Sequence, residues 1–190
     1  MIPGQSYFPG SEDAKFSRIA LAAAWPAVRP GFVVVLGEHR IDRVLGKPVL
    51  VVLDEAGDDR LWHVVEKLAA LREYYHPEQI LVDGRHVAAM QFIDEFRGKG
   101  LQVQHSLLCA IEGPCAYAFP VLYRALETRR LVIPAASALT GELQVVPRHE
   151  DLRKLVLSDY PAVAALSFAV LGLESTRQEE GVRRIWETTK

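Results

Sequence analysis

Apolar runs of strand length fill the first third of the chain. They occupy residues 18–25, 31–39 and 48–54, and short polar turns separate them. Turns this short favour antiparallel neighbours, so the pattern predicts three strands that meander along one sheet. Residues 1–15 contain two Pro-Gly pairings and little periodicity, which is typical of an N-terminal arm or linker.

The pattern changes after this meander. Apolar positions in residues 59–75 recur at helical spacing, with charges on the opposite face. Strand-like and helix-like stretches then alternate, and this order implies parallel pairing with right-handed crossovers. The predicted elements are a strand at 79–83, a helix at 86–97, a strand at 101–106, a helix at 115–128, a strand at 129–134 and a final helix at 159–173.

The order of elements predicts an α/β fold. Three meandering strands followed by alternating helices and strands describe a ribonuclease H-like mixed five-stranded sheet flanked by helices. Its strand order would be 3-2-1-4-5, with strand 2 antiparallel, although the order of elements alone also permits unrelated α/β folds. The expected domain covers residues 16–175, and a polar C-terminal tail covers 176–190.

The composition indicates a globular protein without bulk affinity for polyanions. The net charge is −2, so any nucleic acid would have to bind a local basic patch. Cys109 and Cys115 match neither a CxxC pair nor a zinc framework, and we expect free thiols in a reducing compartment. No signal-peptide pattern and no apolar run near the ~20 residues that span a bilayer occur. We therefore expect a cytoplasmic protein with no membrane partner.

Sequence motifs of common enzyme classes are absent. The chain has no GxxxxGK(S/T) loop, no GxGxxG after a strand, no GxSxG elbow and no HExxH pair. The acid-rich stretch 54–59 lacks the spacing of a calcium loop. We interpret it as a solvated turn whose last acids precede a helix.

Asp83 is the first candidate for chemistry. It ends the apolar strand 79–83 and precedes Gly84 and a predicted helix. The carboxyl end of a buried strand is where an α/β sheet often places a metal ligand or an acid/base group. The same position also suits an aspartate that caps the following helix, so both interpretations stay open.

Several stretches, taken in order, resemble a known family. Residues 123–134 read YRALETRRLVIP, residues 140–146 read TGELQVV, and an apolar hairpin at 18–38 precedes them. They resemble the C-terminal nuclease domain of the large terminase subunit of tailed phages, where a pattern like ALE-x-G-R-L-x-I-P is followed by EL. The resemblance covers about residues 16–175, nearly the whole chain.

The resemblance implies a ribonuclease H-like domain that cuts concatemeric DNA with two divalent metals held by carboxylates. The family's three acids align with Ala24 at the end of strand one, Asp83 at the end of strand four and Ala162 in the final helix. Just before that helix, Ser158 replaces a further acid of the pattern and Asp159 remains. Asp83 and Asp159 are therefore remnant catalytic positions, and Asp83 is the remaining metal position.

Two hypotheses follow for function. The leading one is a phage or prophage terminase-nuclease-like domain that has lost cleavage, needs no cofactor and binds packaging ATPase, portal proteins or DNA in the bacterial host cytoplasm. The alternative is an active endodeoxyribonuclease that uses Mg²⁺ or Mn²⁺ at a rearranged cluster of Asp83, Asp159 and Glu38. Glu38 and Asp159 also have plainer interpretations, as a hairpin-turn acid and a helix cap. The candidates for DNA contact are Arg124, Arg129, Arg130, Arg148, Arg153 and Lys154.

Overall fold

The described part of the chain consists of strands and helices with the following bounds. The computed structural model describes residues 16–25, 30–39, 48–83, 94–95, 97–99, 118–146 and 159–188, without the side chains of Asp83 and residues 175–188. The strands are β1 (Phe16–Ala24), β2 (Gly31–His39), β3 (Val49–Asp58), β4 (Gln79–Asp83) and β5 (Leu131–Val132). The helices are α1 (Leu61–Tyr75), α2 (Ala118–Glu127), α3 (Ala138–Val145) and α4 (Pro161–Thr188).

The strands form one mixed sheet in the order β4-β1-β2-β3-β5. β2 is antiparallel to β1 and β3, whereas β4 is parallel to β1 and β5 is parallel to β3. The predicted ribonuclease H-like sheet is thereby confirmed, with its antiparallel second strand and with the first four strands in the order 3-2-1-4. The fifth described strand is β5, beside β3, and the predicted strand 101–106 lies outside the described residues.

Helices cover both faces of the sheet. α1 packs on one face, where Val64 and Leu68 join Leu21 and Val35 in a buried cluster. α2, α3 and α4 pack on the other face, where they share a second and larger cluster with alternate residues of the same strands. Burial on both faces explains why β1 and β2 are apolar at nearly every position instead of alternating with polar residues.

Small residues bring α4 close to the sheet. β1 presents Ala20 and Ala22 to the α4 face, and both are fully buried. A Cβ added at Gly172 would lie 2.6 Å from Leu81 Cδ1 and 3.7 Å from the Ala20 Cβ. Gly172 is therefore needed for this close approach of helix and sheet.

The final helix is longer than the sequence pattern predicted. α4 continues to Thr188, past the predicted end at 173 and through the stretch predicted as a polar tail. No proline follows Pro161 in the chain, and the stretch is rich in Glu, Gln and Arg, which have high helix propensity. Loss of apolar periodicity therefore did not mark the end of the helix.

A β-bulge divides β3 into two halves with opposite side-chain orientation. Val35 pairs with Asp54 while Leu36 pairs with Val52, which leaves Leu53 as an extra residue. An extra residue reverses which face each later side chain occupies. Glu55 consequently lies on the face that carries α3 and α4.

The acidic stretch 54–59 is not the solvated turn that was predicted. Asp54–Asp58 belong to β3 and pair with Gly31–Val35 of β2. Those β2 residues are buried, so their backbone N–H and C=O groups need strand partners on both sides. Pairing with β2 overrides the low strand propensity of the acids.

The C-terminus of α2 explains the glycine in the family pattern. The Arg130 N–H donates to Ala125 O at 2.9 Å, the Arg129 N–H donates to Leu126 O at 3.0 Å, and Arg129 has φ 55°. These two bonds and the left-handed residue make a Schellman motif, whose left-handed position favours glycine. Arg129 stands where the pattern ALE-x-G-R has its glycine.

Arg129→Gly is therefore expected to stabilise the protein. A non-glycine residue in the left-handed region costs about 1–2 kcal/mol, and the greater freedom of glycine in the unfolded chain returns about 0.4–1 kcal/mol of that. The net gain in the free energy of unfolding should be about 0.5–1 kcal/mol by urea denaturation. The matched control is Glu127→Gly, at the exposed last residue of the helix, which should lose about 1 kcal/mol. Equal losses in both variants would contradict this account.

Candidate functional site

The three positions that align with the family's acids lie at one end of the sheet. In the parallel β1/β4 pair, Ala24 is the direct partner of Asp83. Ala24 also pairs with Phe32 on β2, and both residues share a buried cluster with Ala162 of α4. The fold thus brings the ends of β1 and β4 and the first turn of α4 together, as the resemblance implies.

Two of the three aligned positions at this end carry side chains that cannot bind a metal ion. Ala24 is 1% exposed and Ala162 is 2% exposed, and each offers a methyl group where the family has a carboxylate. Across the described ranges, no three His, Cys, Asp or Glu side chains form a group that could hold a metal ion. Asp159 is exposed and precedes the first turn of α4. The side chain of Asp83 is not among those that the structure describes.

Glu38 is not a hairpin-turn residue, and it does not join Asp83. It lies within β2 and is 5% exposed, with Oε2 3.9 Å from Arg18 Nη1, and its carbonyl oxygen accepts a hydrogen bond from Ser17 Oγ at 3.1 Å. Glu38 pairs with Arg18 near the start of β1, whereas Asp83 pairs with Ala24 at its end. Six residues of strand separate these pairs by about 20 Å. The prediction that Asp83, Asp159 and Glu38 form one rearranged cluster is therefore wrong.

The N-terminus of α4 is capped from another helix. Glu142 Oε2 accepts the Val163 N–H at 3.0 Å, and the first helical bond runs from the Ala164 N–H to Tyr160 O at 2.8 Å. The predicted cap, Asp159, does not fill this role among the described contacts. Glu142 belongs to the Glu-Leu pair that follows the family pattern, so the structure gives that residue a positioning role.

A second glutamate caps α3 from the sheet. Glu55 Oε1 accepts the Ala138 N–H at 2.7 Å, and Glu55 Oε2 accepts from Ser137 Oγ at 2.5 Å. Ser137 is itself the N-cap residue, and its Oγ accepts the Leu139 N–H at 3.1 Å. The bulge at Leu53 is what turns Glu55 toward this helix. Glu55 and Glu142 together fix β3, α3 and α4 relative to one another.

These elements enclose a groove beside Ala162, here named the α3–α4 groove. It is bounded by the ends of β2 and β3, by α3 and by the first turn of α4, and its volume is about 530 Å³. Phe32 and Ala162 are buried and line its floor, the exposed Ala138 borders it, and the partly or fully exposed acids Asp58, Asp59 and Glu142 line its rim. Sequence reasoning did not find the groove, because its residues come from four separate segments.

Asp58 is held in its charged form at this rim. Its Oδ1 accepts the Arg60 N–H at 2.8 Å, and its Oδ2 lies 2.9 Å from His63 Nδ1. The backbone N–H of Arg60, followed by the His63 ring, holds the pKa of Asp58 below its usual value of 3.8. Asp58 therefore carries a full negative charge at neutral pH.

The candidates for DNA contact lie at the opposite end of the sheet or outside the described residues. Arg124 and Arg129 are exposed near the C-terminus of α2, which leads into β5. β5 pairs with Leu50, about 20 Å along β3 from the residue that pairs with Phe32. Arg130 is half-buried and donates to Pro48 O and Glu174. The remaining candidates lie outside the described residues; they are Arg148, Arg153 and Lys154.

Solved structures that superpose on this chain include large terminase nuclease domains of bacteriophages. The chain superposes on the large terminase nuclease domain of bacteriophage SPP1, solved with bound Mn, with a TM-score of 0.58 and 16% identity over 87% of this chain and 92% of that one. It superposes on the large terminase nuclease of thermophilic phage G20c, solved with bound zinc, with a TM-score of 0.54 and 16% identity over 80% of this chain and 79% of that one.

A third comparison is with a longer protein. The large terminase of another thermophilic bacteriophage matches with a TM-score of 0.54 and 13% identity over 80% of this chain, which spans 39% of that protein. The sequence itself matches no protein-family model and no curated protein. The chain thus has the ribonuclease H-like fold of large terminase nuclease domains. No helix among the described residues is long and apolar enough to cross a membrane.

Proposed function

We propose that this chain is a terminase-nuclease-like domain, from a phage or prophage, that has lost two-metal DNA cleavage and acts by binding packaging-motor proteins or DNA. The observation that carries the proposal is the pair of buried alanines, Ala24 and Ala162, at two of the three aligned acid positions. The fold around them is that of the SPP1 and G20c nuclease domains.

The chemistry of the reaction supports the loss. Two divalent cations about 3.5–4 Å apart must be bridged and neutralised by several carboxylates while they activate water and stabilise the leaving oxygen. A methyl group supplies no oxygen ligand. Ala24 and Ala162 also belong to a buried cluster of apolar side chains, none of which supplies an oxygen ligand in place of the missing carboxylates.

An active endonuclease that depends on Mg²⁺ or Mn²⁺ is the second candidate. The observation in its favour is that the SPP1 domain was solved with Mn and the G20c domain with zinc. Because Glu38 is at the far end of the sheet, such an enzyme would need acids other than Glu38 beside Asp83 to complete its cluster.

We expect that metal ions neither activate DNA cleavage by this protein nor raise its melting temperature. Supercoiled plasmid incubated with 5 mM MgCl₂ or MnCl₂ should stay uncut, and the melting temperature should be the same with metal as with EDTA. A ligand at 100 times its dissociation constant would add about 2.7 kcal/mol, or several degrees for a domain of this size, so bound metal would be easily seen.

The matched variant for this experiment is Asp83→Asn, which removes the one remaining acid at the aligned positions. Wild type and variant should have the same metal response in both assays. Plasmid cleavage, or a metal-dependent rise in melting temperature, that is present in the wild type and lost in Asp83→Asn would refute the proposal and establish the second candidate.

A further inference from the structure

We infer that the α3–α4 groove is a docking site for a basic, partly apolar polypeptide segment of a partner protein, and not for nucleic acid. The inference rests on the proposed function, since it assigns the surface through which a domain without cleavage activity would bind. Its residues all lie in the described part of the chain, and they belong to β2, β3, α3, α4 and the chain next to them.

The charge of the groove decides the class of partner. Asp58, Asp59 and Glu142 line it, and no described lining residue is Lys, Arg or His. A phosphate placed in the groove would face three carboxylates, and each like-charge pair costs about 1 kcal/mol at 4 Å even in bulk water. A lysine or arginine side chain in the same place would gain these interactions, so the groove is complementary to a cationic segment.

Asp59 is the rim acid most available to a partner. Asp58 is bonded to Arg60 and His63, and Glu142 caps α4, whereas Asp59 is exposed and none of the described contacts engages its carboxylate. A charged group that is not committed within the fold can pair with a ligand without first breaking an internal bond.

The floor of the groove provides the apolar half of the site. The buried Phe32 and Ala162 line it, the exposed Ala138 borders it, and an apolar side chain placed there would be removed from water. Ala162 also stands at one of the three aligned acid positions. The replacement that removes a metal ligand from this end of the sheet also adds apolar surface to the groove.

Defined peptides test the inference directly. The probe is a fluorescein-labelled 12-residue peptide of Arg-Leu-Ala repeats, compared with a peptide of Glu-Leu-Ala repeats and with a labelled 20-base-pair DNA duplex, by anisotropy in 150 mM NaCl. The basic peptide should bind, and the acidic peptide and the duplex should bind at least tenfold more weakly to the groove.

Two variants locate the binding. Asp59→Lys reverses the exposed rim charge and should weaken binding of the basic peptide at least fivefold. Glu127→Lys makes the same charge change on the exposed end of α2 and should weaken binding less than twofold. Ala138→Tyr fills the groove from an exposed helix position without a charge change and should also weaken the peptide at least fivefold. Circular dichroism and melting curves check that all variants are folded.

The results separate this inference from the proposed function. Absence of basic-peptide binding at 1 mM, or equal binding by wild type, Asp59→Lys and Ala138→Tyr, would overturn the docking site. Duplex binding that Ala138→Tyr weakens would instead make the groove a nucleic-acid site and overturn the inference as well. The same preparation is also assayed for plasmid cleavage. Cleavage would contradict the proposed loss of catalysis, whereas the docking site is tested by the peptide result alone.

Discussion

Ala24→Asp is expected to lower the free energy of unfolding by about 4 kcal/mol at pH 7.5, because it places an ionisable carboxyl in the apolar core. Ala24 is 1% exposed and belongs to the cluster beneath α4 with Phe32 and Ala162. None of these neighbours offers a positive charge or a side-chain donor. The next strand places Asp83 at the partner position, which adds a second acid to the same sheet end.

The control is Ala24→Asn, which has nearly the same shape and no charge. Burial raises the pKa of an introduced carboxyl in the folded state, so the folded protein binds more protons than the unfolded chain. The loss of stability caused by the buried charge is therefore absent below about pH 4, which is near the pKa of an aspartate in the unfolded chain. This loss grows as the pH rises above that value. Urea unfolding at pH 4.5 and 7.5 should show the two variants diverging with pH. A carboxylate variant as stable as wild type at pH 7.5 would mean that this end of the sheet is open to solvent or cations.

The order of the main elements could be read from apolar patterning, and the reason lies in how the sheet is covered. β1 and β2 are buried on both faces, so they stand out as apolar runs, and α1 has a regular apolar stripe that faces one side of the sheet. The second half of β3 was missed because Asp54, Glu55 and Asp58 have low strand propensity. Their pairing with β2 depends on a neighbour some twenty residues earlier in the chain, and local pattern does not contain that information.

The candidate site was predictable in position but not in its supporting contacts. The resemblance led to Ala24, Asp83 and Ala162, and the register of β1 and β4 brings the first two together. The caps supplied by Glu55 and Glu142 could not be inferred, because each glutamate reaches a helix N-terminus in a separate segment of the chain. Asp159 was the plausible local cap by composition, but the tertiary fold supplies a different acid.

The rim acids of the groove have roles that the sequence pattern does not reveal. The position of Asp58 follows from pairing of β3 with β2, and that of Glu142 from packing of α3 on α4. The same contacts that stabilise the fold therefore determine the shape and charge of the α3–α4 groove. Variants that probe binding must leave Glu55 and Glu142 intact, because changing either would move α3 or α4.

Arg130→Met is expected to lower the free energy of unfolding by about 2–3 kcal/mol, although Arg130 was a candidate for DNA contact from the sequence. Arg130 Nη2 donates to Glu174 Oε1 at 2.9 Å, and Arg130 Nε donates to Pro48 O at 3.0 Å. The two side chains are 14% and 24% exposed. Breaking a fully buried ion pair costs about 3–5 kcal/mol, and partial exposure here reduces that figure. Methionine keeps most of the apolar stem, so the loss reports on the charged head.

Arg124→Met provides the matched control, since Arg124 is exposed on α2 and the same substitution there should change stability by less than about 0.5 kcal/mol. A double-mutant cycle with Glu174→Gln separates the pair from its surroundings, and urea denaturation of the four proteins should give a coupling energy of about 1–2 kcal/mol. Arg130 joins the start of β5, the entry to β3 and the middle of α4, so this coupling measures how firmly the helix is held to that edge of the sheet. If Arg130→Met is as stable as Arg124→Met and weakens only the binding of a DNA duplex, Arg130 contacts DNA and the ion pair contributes nothing to the fold.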